Sequence, residues 1–457
     1  MELITNYDKR YKYPFFVKAI LFSFFTGIVF YILGASLLSF FAVLLTTYFL
    51  ILFVNALGNN IPIIEIMLLL CVLQWLLGPV LAYAGYNNHY KYYMYITEKE
   101  YFPFVILGIL AFFTGSILVR NKREKYLKPV YLEKITNHLK SSPYLGYSFI
   151  LFGWVCSLIQ RFMPGSLNFI FFLLANSMYI GVIYLLLQPS RLKWWVTGSV
   201  LFLLFLSSLQ SSMFHGLLLW LTFISLYFFS IKKYSFQRKL LFIFLGIGFA
   251  YIIQIAKWEI RNGTAQGNLS GFVTVINDKV LGEDDYDDTE TATQDFVVRL
   301  NQGWIISRIM YYIPVEAPFV DGKTVKDAIS STLLPRFLNP GKAVVGGKEY
   351  FELFTGFVLL SSTSMGASLL GEGYANFGYT GAIVFMFVIG LFYRFALNTI
   401  YKIADKYPTV ILWIPLIFLQ VVKAESDLLR VLNHLVKASL LVFLIYWVCY
   451  KVFKWRI

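Results

Sequence analysis

Four stretches of the chain, Ile20–Leu33, Leu37–Val54, Phe104–Val119 and Leu240–Ile253, carry no charged residue. An apolar helix of roughly 20 residues crosses the ~30 Å of hydrocarbon in a bilayer, where a backbone must satisfy its own hydrogen bonds. Runs of this kind restrict the chain to an all-α, polytopic membrane fold. The thin charge content agrees: 14% of residues are charged, against about 25% in soluble domains. By the ~20-residue criterion about twelve spans are expected. Their centres fall near Phe25, Leu45, Leu73, Leu110, Phe152, Asn176, Leu204, Thr222, Gly248, Val388, Phe418 and Leu444.

Charge decides how the spans are threaded. The chain is net +14, which could suggest nucleic acid, but the distribution says otherwise. Residues 257–376 hold ten Lys/Arg against fifteen Asp/Glu, a net of −5, so the rest of the chain carries +19, mostly in short connections. That is the positive-inside pattern of a multi-pass protein and not a polyanion-binding surface. Lys9, Arg10 and Lys12, the 120–140 connection with seven basic and two acidic residues, Lys232 to Lys239, Lys402, Lys406 and the tail all fall on one side. Both termini are therefore expected in the cytoplasm and 257–376 outside. The first apolar run lacks a small-residue cleavage site and passes almost directly into the second, so it reads as a retained helix. Three regions follow: a bundle over 1–256 with about nine helices, an outer loop over 257–376, and about three further helices over 377–457.

The outer loop is not uniformly polar. The run 283–288 is acidic and reads as solvated, lacking the spacing and glycine of a calcium loop. Leu300, Trp304, Ile305 and Ile309 recur at helical spacing, and Thr324–Leu334 reads as a second short helix stopped by Pro335. The apolar segment Phe357–Leu370 is too short to span; lying in the interface or re-entering the membrane are the expected alternatives.

No P-loop, GxSxG, HExxH or dinucleotide fingerprint occurs, and His89, His138, His215 and His434 are scattered, so no metal site is expected. Cys71, Cys156 and Cys449 sit in apolar segments without CxxC spacing, which argues against a disulfide framework. The outer loop does gather Arg261, Arg299, Arg308, Arg336, Lys342 and Lys348. Guanidinium grips phosphate bidentately and ammonium grips it as a point charge; pairing with loop carboxylates or headgroups is the plainer alternative. Glu372 stands between Gly371 and Gly373 where the chain returns to the membrane. A carboxylate in a partly desolvated cleft suits a general base; a helix N-terminus favouring an acid is the alternative. Asn376 is placed to cap the following helix, and Gly378 and Gly381 to let it pack tightly. A second polar cluster, Glu425, Asp427 and Arg430, interrupts the apolar run 422–437 and is a candidate site by its depth.

The segments "RLNQGWIISRIMYYIPVEAPFVDGKTVKDAISSTLLPRFLNPGK" and "SMGASLLGEGYANFGYTGAIVFMFVIGLFYRF", after many spans and within one long outer loop, resemble bacterial O-antigen and capsule repeat-unit polymerases of the Wzy type. Pro335, Arg336, Pro340, Lys342, Glu372, Tyr374, Asn376, Phe377, Gly378 and Gly381 carry the likeness. The resemblance implies an inner-membrane glycosyltransferase related to the GT-C architecture, acting on the outer face. A growing glycan would pass from undecaprenyl pyrophosphate to the terminal sugar hydroxyl of a lipid-linked repeat unit. No cofactor is implied, since arginines can take the place of a metal ion. Partners would be undecaprenyl-pyrophosphate-linked oligosaccharides, the bilayer and a chain-length regulator protein. Glu372, Arg336 and Arg299 are the candidate catalytic residues, and Arg261, Arg308, Lys342, Tyr374, Asn376 and Arg430 the candidate substrate-binding residues. A ligase-like transferase, which would look to an outer-face histidine, and a flippase, which would show internal repeats, are the alternatives.

Overall fold

The structure is a computed structural model that describes every residue except 1, 60, 88, 121–126, 232–233, 263–265, 279–293, 295, 334–346, 361–364 and 456–457. The side chains of 2–14, 127–131, 165–166, 258 and 261–262 are also outside this description. The described residues form helices and connecting loops, with no strand. The N-terminal bundle contains α1 (Glu2–Ile32), α2 (Leu37–Ala56), α3 (Ile63–Tyr86), α4 (Glu98–Leu118), α5 (Leu127–Ser141), α6 (Leu145–Gln160), α7 (Gly165–Ala175), α8 (Ser177–Leu187), α9 (Lys193–Ser211), α10 (His215–Ile231) and α11 (Phe236–Asn262). A layer of short helices follows: α12 (Leu269–Ile276), α13 (Gly303–Tyr312), α14 (Lys323–Leu333) and α15 (Lys348–Thr355). The chain closes with α16 (Leu369–Ala404), α17 (Pro408–Ile417) and α18 (Leu428–Lys451).

Among the described residues nine helices are long and apolar enough to cross a membrane, or ten if α5 and α6, bent by 82° at their junction, make one span. The difference from twelve has local causes. α10 is only 17 residues long. The segment expected to cross near Phe418 is α17, ten residues of mostly 3-10 turn, followed by irregular chain to Asp427. Its residues from Thr409 to Leu419 are nevertheless buried, so protein and not lipid satisfies the irregular backbone. The charged first helix of the bent pair, α5, ends the basic connection that hydropathy alone reads as a loop.

Contacts between distant connections sort the helix ends into two groups. Arg120 meets Glu65 at 3.9 Å and Lys239 Nζ donates to the Leu57 carbonyl, joining ends assigned to one side by charge. At the other end, Ser36 donates to Glu98, the Ser307 hydroxyl accepts the Tyr95 and Ile96 N–H groups, and His215 approaches Glu425.

The tightest helix pair is α4 with α16. A Cβ on Gly115 would stand 2.2 Å from the Phe387 carbonyl oxygen, and one on Gly390 2.2 Å from that of Phe112. Glycine at both positions lets two backbones touch, the usual device where lipid gives helices no hydrophobic reason to associate. Buried Arg394 adds a cross-tie, its Nε donating to the Ser116 carbonyl at 2.7 Å. α3 carries a π turn over Leu73–Leu77, and its Trp75 carbonyl accepts the Tyr101 hydroxyl at 2.9 Å. Just beyond that turn, Gly78 lies against Asn301, where a Cβ would be 2.6 Å from the Asn301 Cα. The layer of short helices is thereby seated in the bundle ahead of α13, whose Trp304, Ile305, Ile306 and Ile309 are buried. The helical spacing read from Leu300 to Ile309 and the short helix read from Thr324 correspond to α13 and α14. Of Phe357–Leu370, the described part before Leu369 is irregular chain, neither a span nor a helix.

Candidate functional site

α16 is not one straight rod. Gly378 has φ 67° and ψ −166°, a conformation that an L side chain rarely adopts. The chain turns sharply there: a Cβ on Gly373 would touch Phe385 and Ala382, so the first turns fold back on the part that follows. Glu372 lies on this folded-back piece and is fully buried. Thr324 of α14 donates its hydroxyl to Glu372 Oε1 at 2.8 Å. The Leu428 N–H, at the start of α18, donates to Oε2 at 2.7 Å. Asn376 Nδ2 donates to Thr324 Oγ1 and to the Glu372 carbonyl, both at 2.8 Å. One carboxylate thus fastens α14, α16 and α18 together.

This geometry differs from the cleft expected for a base. Both Glu372 oxygens already hold protein donors, and no face meets solvent. Asn376 likewise does not cap a helix; it sits inside the folded-back turns and reads into Thr324. Gly381 faces its own Phe377, so the glycine by which α16 presses closely on α4 is Gly390, opposite Gly115, and not Gly378 or Gly381. Tyr374 is wedged edge-on between Phe104 and Phe319, with ring centroids at 5.3 and 5.9 Å.

The expected cations separate. Arg308 donates through Nε to the Thr355 carbonyl at 2.8 Å, and its guanidinium lies over the rings of Phe357, Tyr95, Tyr311 and Tyr312 at 4.7 to 5.3 Å. Those contacts commit it to holding loop against α13. Arg299 is exposed just before α13. Arg261 belongs to the last turn of α11. Arg336 and Lys342, with Pro335 and Pro340, lie outside the described residues, as does the acidic run 283–288.

A different set converges at the start of α18. Asp427 caps the helix, its Oδ1 accepting the Arg430 N–H at 2.8 Å. Its other oxygen is buried without a hydrogen-bond partner among the described residues and, with the Arg430 guanidinium, stands close to Gly347. Two residues earlier, Glu425 Oε1 is 3.9 Å from His215 Nε2. Lys423, Lys257 and Arg430 all lie near enough to act electrostatically on His215. Three cations thus stand within electrostatic reach of His215, near two carboxylates and a helix N-terminus, which is itself electropositive. Lys423 is half-buried in the turn ahead of α18. Burial lowers its proton affinity, and Arg430 adds to that while Glu425 opposes it, leaving a pKa of about 8.

Of this group, sequence reading singled out Glu425, Asp427 and Arg430. His215, taken alone, reads as a lone polar residue. The signal that could have found it is topological, since the threading puts the start of that helix on the outer face. Thr324 carries no chemical signature of its own. Among the described residues no three His, Cys, Asp or Glu side chains come together as a metal site, and the three cysteines are buried and free. No protein-family model, curated protein or solved structure matches the chain.

Proposed function

We propose that this chain is a membrane glycosyltransferase that polymerises lipid-linked oligosaccharide repeat units, as its sequence resemblance implies. The observation that best supports this reading is the convergence of Lys257, Lys423, Arg430 and His215 at the start of α18. A diphosphate needs several cations in a partly dehydrated setting, and each such contact is stronger where water is scarce. On this reading the face is extracytoplasmic in a bacterial inner membrane, both termini are cytoplasmic, and the architecture is related to GT-C. The anomeric C–O bond to undecaprenyl pyrophosphate breaks, the acceptor hydroxyl oxygen forms the new bond, and the lipid diphosphate leaves with its charge held by the cations. The hydroxyl proton passes to Glu425, which is part exposed beside His215. Sealed Glu372 acts by holding α14 and α18 in place. Arg299 and Arg336 remain candidate clamps from the loop.

A ligase-like transferase is the second reading, favoured by His215 standing on this face. His434, the other histidine of that region, is buried with Nε2 2.8 Å from the Leu416 carbonyl oxygen.

Lys423→Ala and Arg430→Ala should each cut glycan extension about 10–100-fold, the effect of removing one charge from a dehydrated anion site. Gel analysis of lipid-linked glycans made by membranes carrying each variant checks this. Long chains at wild-type level in both would remove the cluster from the reaction; multi-repeat chains on lipid separate polymerase from ligase. A pH series gives a second test. The protonated ammonium is the binding form, so the Lys423 contribution is complete at acid pH and is lost as pH rises through about 8. In Lys423→Arg the charge persists, and the alkaline decline should disappear.

A further inference from the structure

Beside the folded-back turns of α16 the surface opens into a cleft of about 420 Å³ lined by Phe319, Asp321, Asn376, Phe377 and Gly378. Its size lies in the range of about 300–1,000 Å³ usual for small-molecule sites. Two glycine-containing turns build it by reciprocal contact. A Cβ on Gly322 would stand 3.2 Å from the Phe377 ring, and one on Gly378 3.5 Å from the Phe319 ring. Both glycines have positive φ, 78° and 67°. The Val320 N–H donates to the Ala375 carbonyl at 3.0 Å and locks the turns together. Phe377 is 43% exposed, so its ring is open to a ligand.

The polar groups are unlike those of a lipid contact. Asp321 is exposed and its carboxylate has no partner among the described residues. Asn376 is buried, both its side-chain hydrogen bonds use Nδ2, and its Oδ1 has no hydrogen-bond partner among the described residues. Buried acceptors left open are uncommon and call for an explanation. Ring faces beside an acceptor-only carboxylate match the two sides of a pyranose: an apolar C–H face and an edge of hydroxyl donors. A phosphate would be repelled by Asp321, and a purely apolar ligand would leave that carboxylate desolvated.

We propose that this cleft is a saccharide subsite that seats one neutral pyranose, Phe319 and Phe377 meeting its C–H face and Asp321 accepting its hydroxyls. The sugar would be part of a lipid-linked glycan, a detail that rests on the transferase reading; the capacity to hold a pyranose does not. The bonds from Asn376 through Thr324 and Glu372 to the Leu428 N–H join the wall of the cleft to the cationic end of α18. That rigid connection would fix the distance between a seated sugar and a held diphosphate.

Saturation-transfer NMR tests the subsite on the full chain in lipid nanodiscs, with free glucose, galactose, mannose, N-acetylglucosamine and N-acetylgalactosamine as probes. At least one should receive saturation from the wild-type protein. Its apparent affinity should fall about tenfold in Asp321→Asn, the effect of one lost hydrogen bond to a charged group, and comparably in Phe377→Ala. Both side chains reach the surface, and asparagine tolerates the left-handed backbone at 321, so both variants should keep the wild-type melting midpoint. Lys423→Ala should bind the sugar as the wild type does. No saturation of any probe, or wild-type affinity in both cleft variants, overturns the subsite, whatever Lys423→Ala does to chain length. Sugar binding that survives alongside unaltered chain length in Lys423→Ala and Arg430→Ala upholds the subsite and sinks the diphosphate assignment instead.

Discussion

Glu372→Ala should lower stability by about 2–6 kcal/mol, because it leaves two buried donors without an acceptor at about 1–3 kcal/mol each. The donors are the Thr324 hydroxyl and the Leu428 N–H, and neither can reach water from where it lies. The damage should be local at first. α14 and the start of α18 lose the group that joins them to α16, so the outer end should loosen before the bundle does. Thermal melting of the purified protein in detergent gives the global effect, and hydrogen exchange at 324–333 and 428–434 the local one. Glu372→Gln separates structure from chemistry. Its amide oxygen can still accept the Leu428 N–H, while its NH2 can face only the Thr324 oxygen, leaving one donor unmet at about 1–3 kcal/mol. Retained transfer in a folded Glu372→Gln protein supports the positioning role. A folded variant with no transfer would return this carboxylate to the reaction as its base.

The membrane character of the chain is legible because it depends on an additive property. Twenty apolar residues in a row are sufficient whatever they touch, and ten of the twelve expected centres fall within helices, Asn176 and Phe418 lying just outside their ends. What hydropathy cannot supply is whether an apolar stretch is covered by protein. The region around Phe418 reads as a span, but because its neighbours enclose it, α17 can be short and irregular. α13 is legible from its apolar spacing, and α14 from the short run that Pro335 stops. The candidate site was legible only in part. Glu372, Asn376 and Arg430 stand out as polar residues in apolar company, and the structure places Glu372 and Asn376 in one network with the start of the helix that carries Arg430. Their roles depend on partners hundreds of positions away or of ordinary type. Nothing in the sequence connects Thr324 to Glu372, or His215 to Glu425 across 210 positions. Arg308 illustrates the opposite error: as a residue type it suits phosphate, but Phe357 and three tyrosines occupy its guanidinium.

Gly390→Leu should prevent accumulation of folded protein altogether. Overpacking a well-filled core usually costs about 1–3 kcal/mol, when neighbouring side chains can shift. Here the obstruction is backbone: a Cβ at 390 would meet the Phe112 carbonyl at 2.2 Å and the Ser116 nitrogen at 3.0 Å. The remainder of a leucine side chain would drive α4 and α16 apart along their contact. Separation would also strip Arg394 from the Ser116 carbonyl, leaving a guanidinium exposed at membrane depth, where charge is expensive. Everything proposed for the outer face hangs from this pair, since α16 carries Glu372 and the folded-back turns. Gly390→Ala adds only the offending Cβ and should fall between, giving folded protein with a lowered melting midpoint. Gly246→Leu is the matched control, because a Cβ there meets nothing within 4 Å and that helix faces outward; its yield should equal the wild type. Fluorescence-detected size exclusion of tagged variants reads all three. A monodisperse Gly390→Leu peak at wild-type height would mean that α4 and α16 do not touch as described, and the positions assigned to Glu372 and to the cleft would fall with that contact.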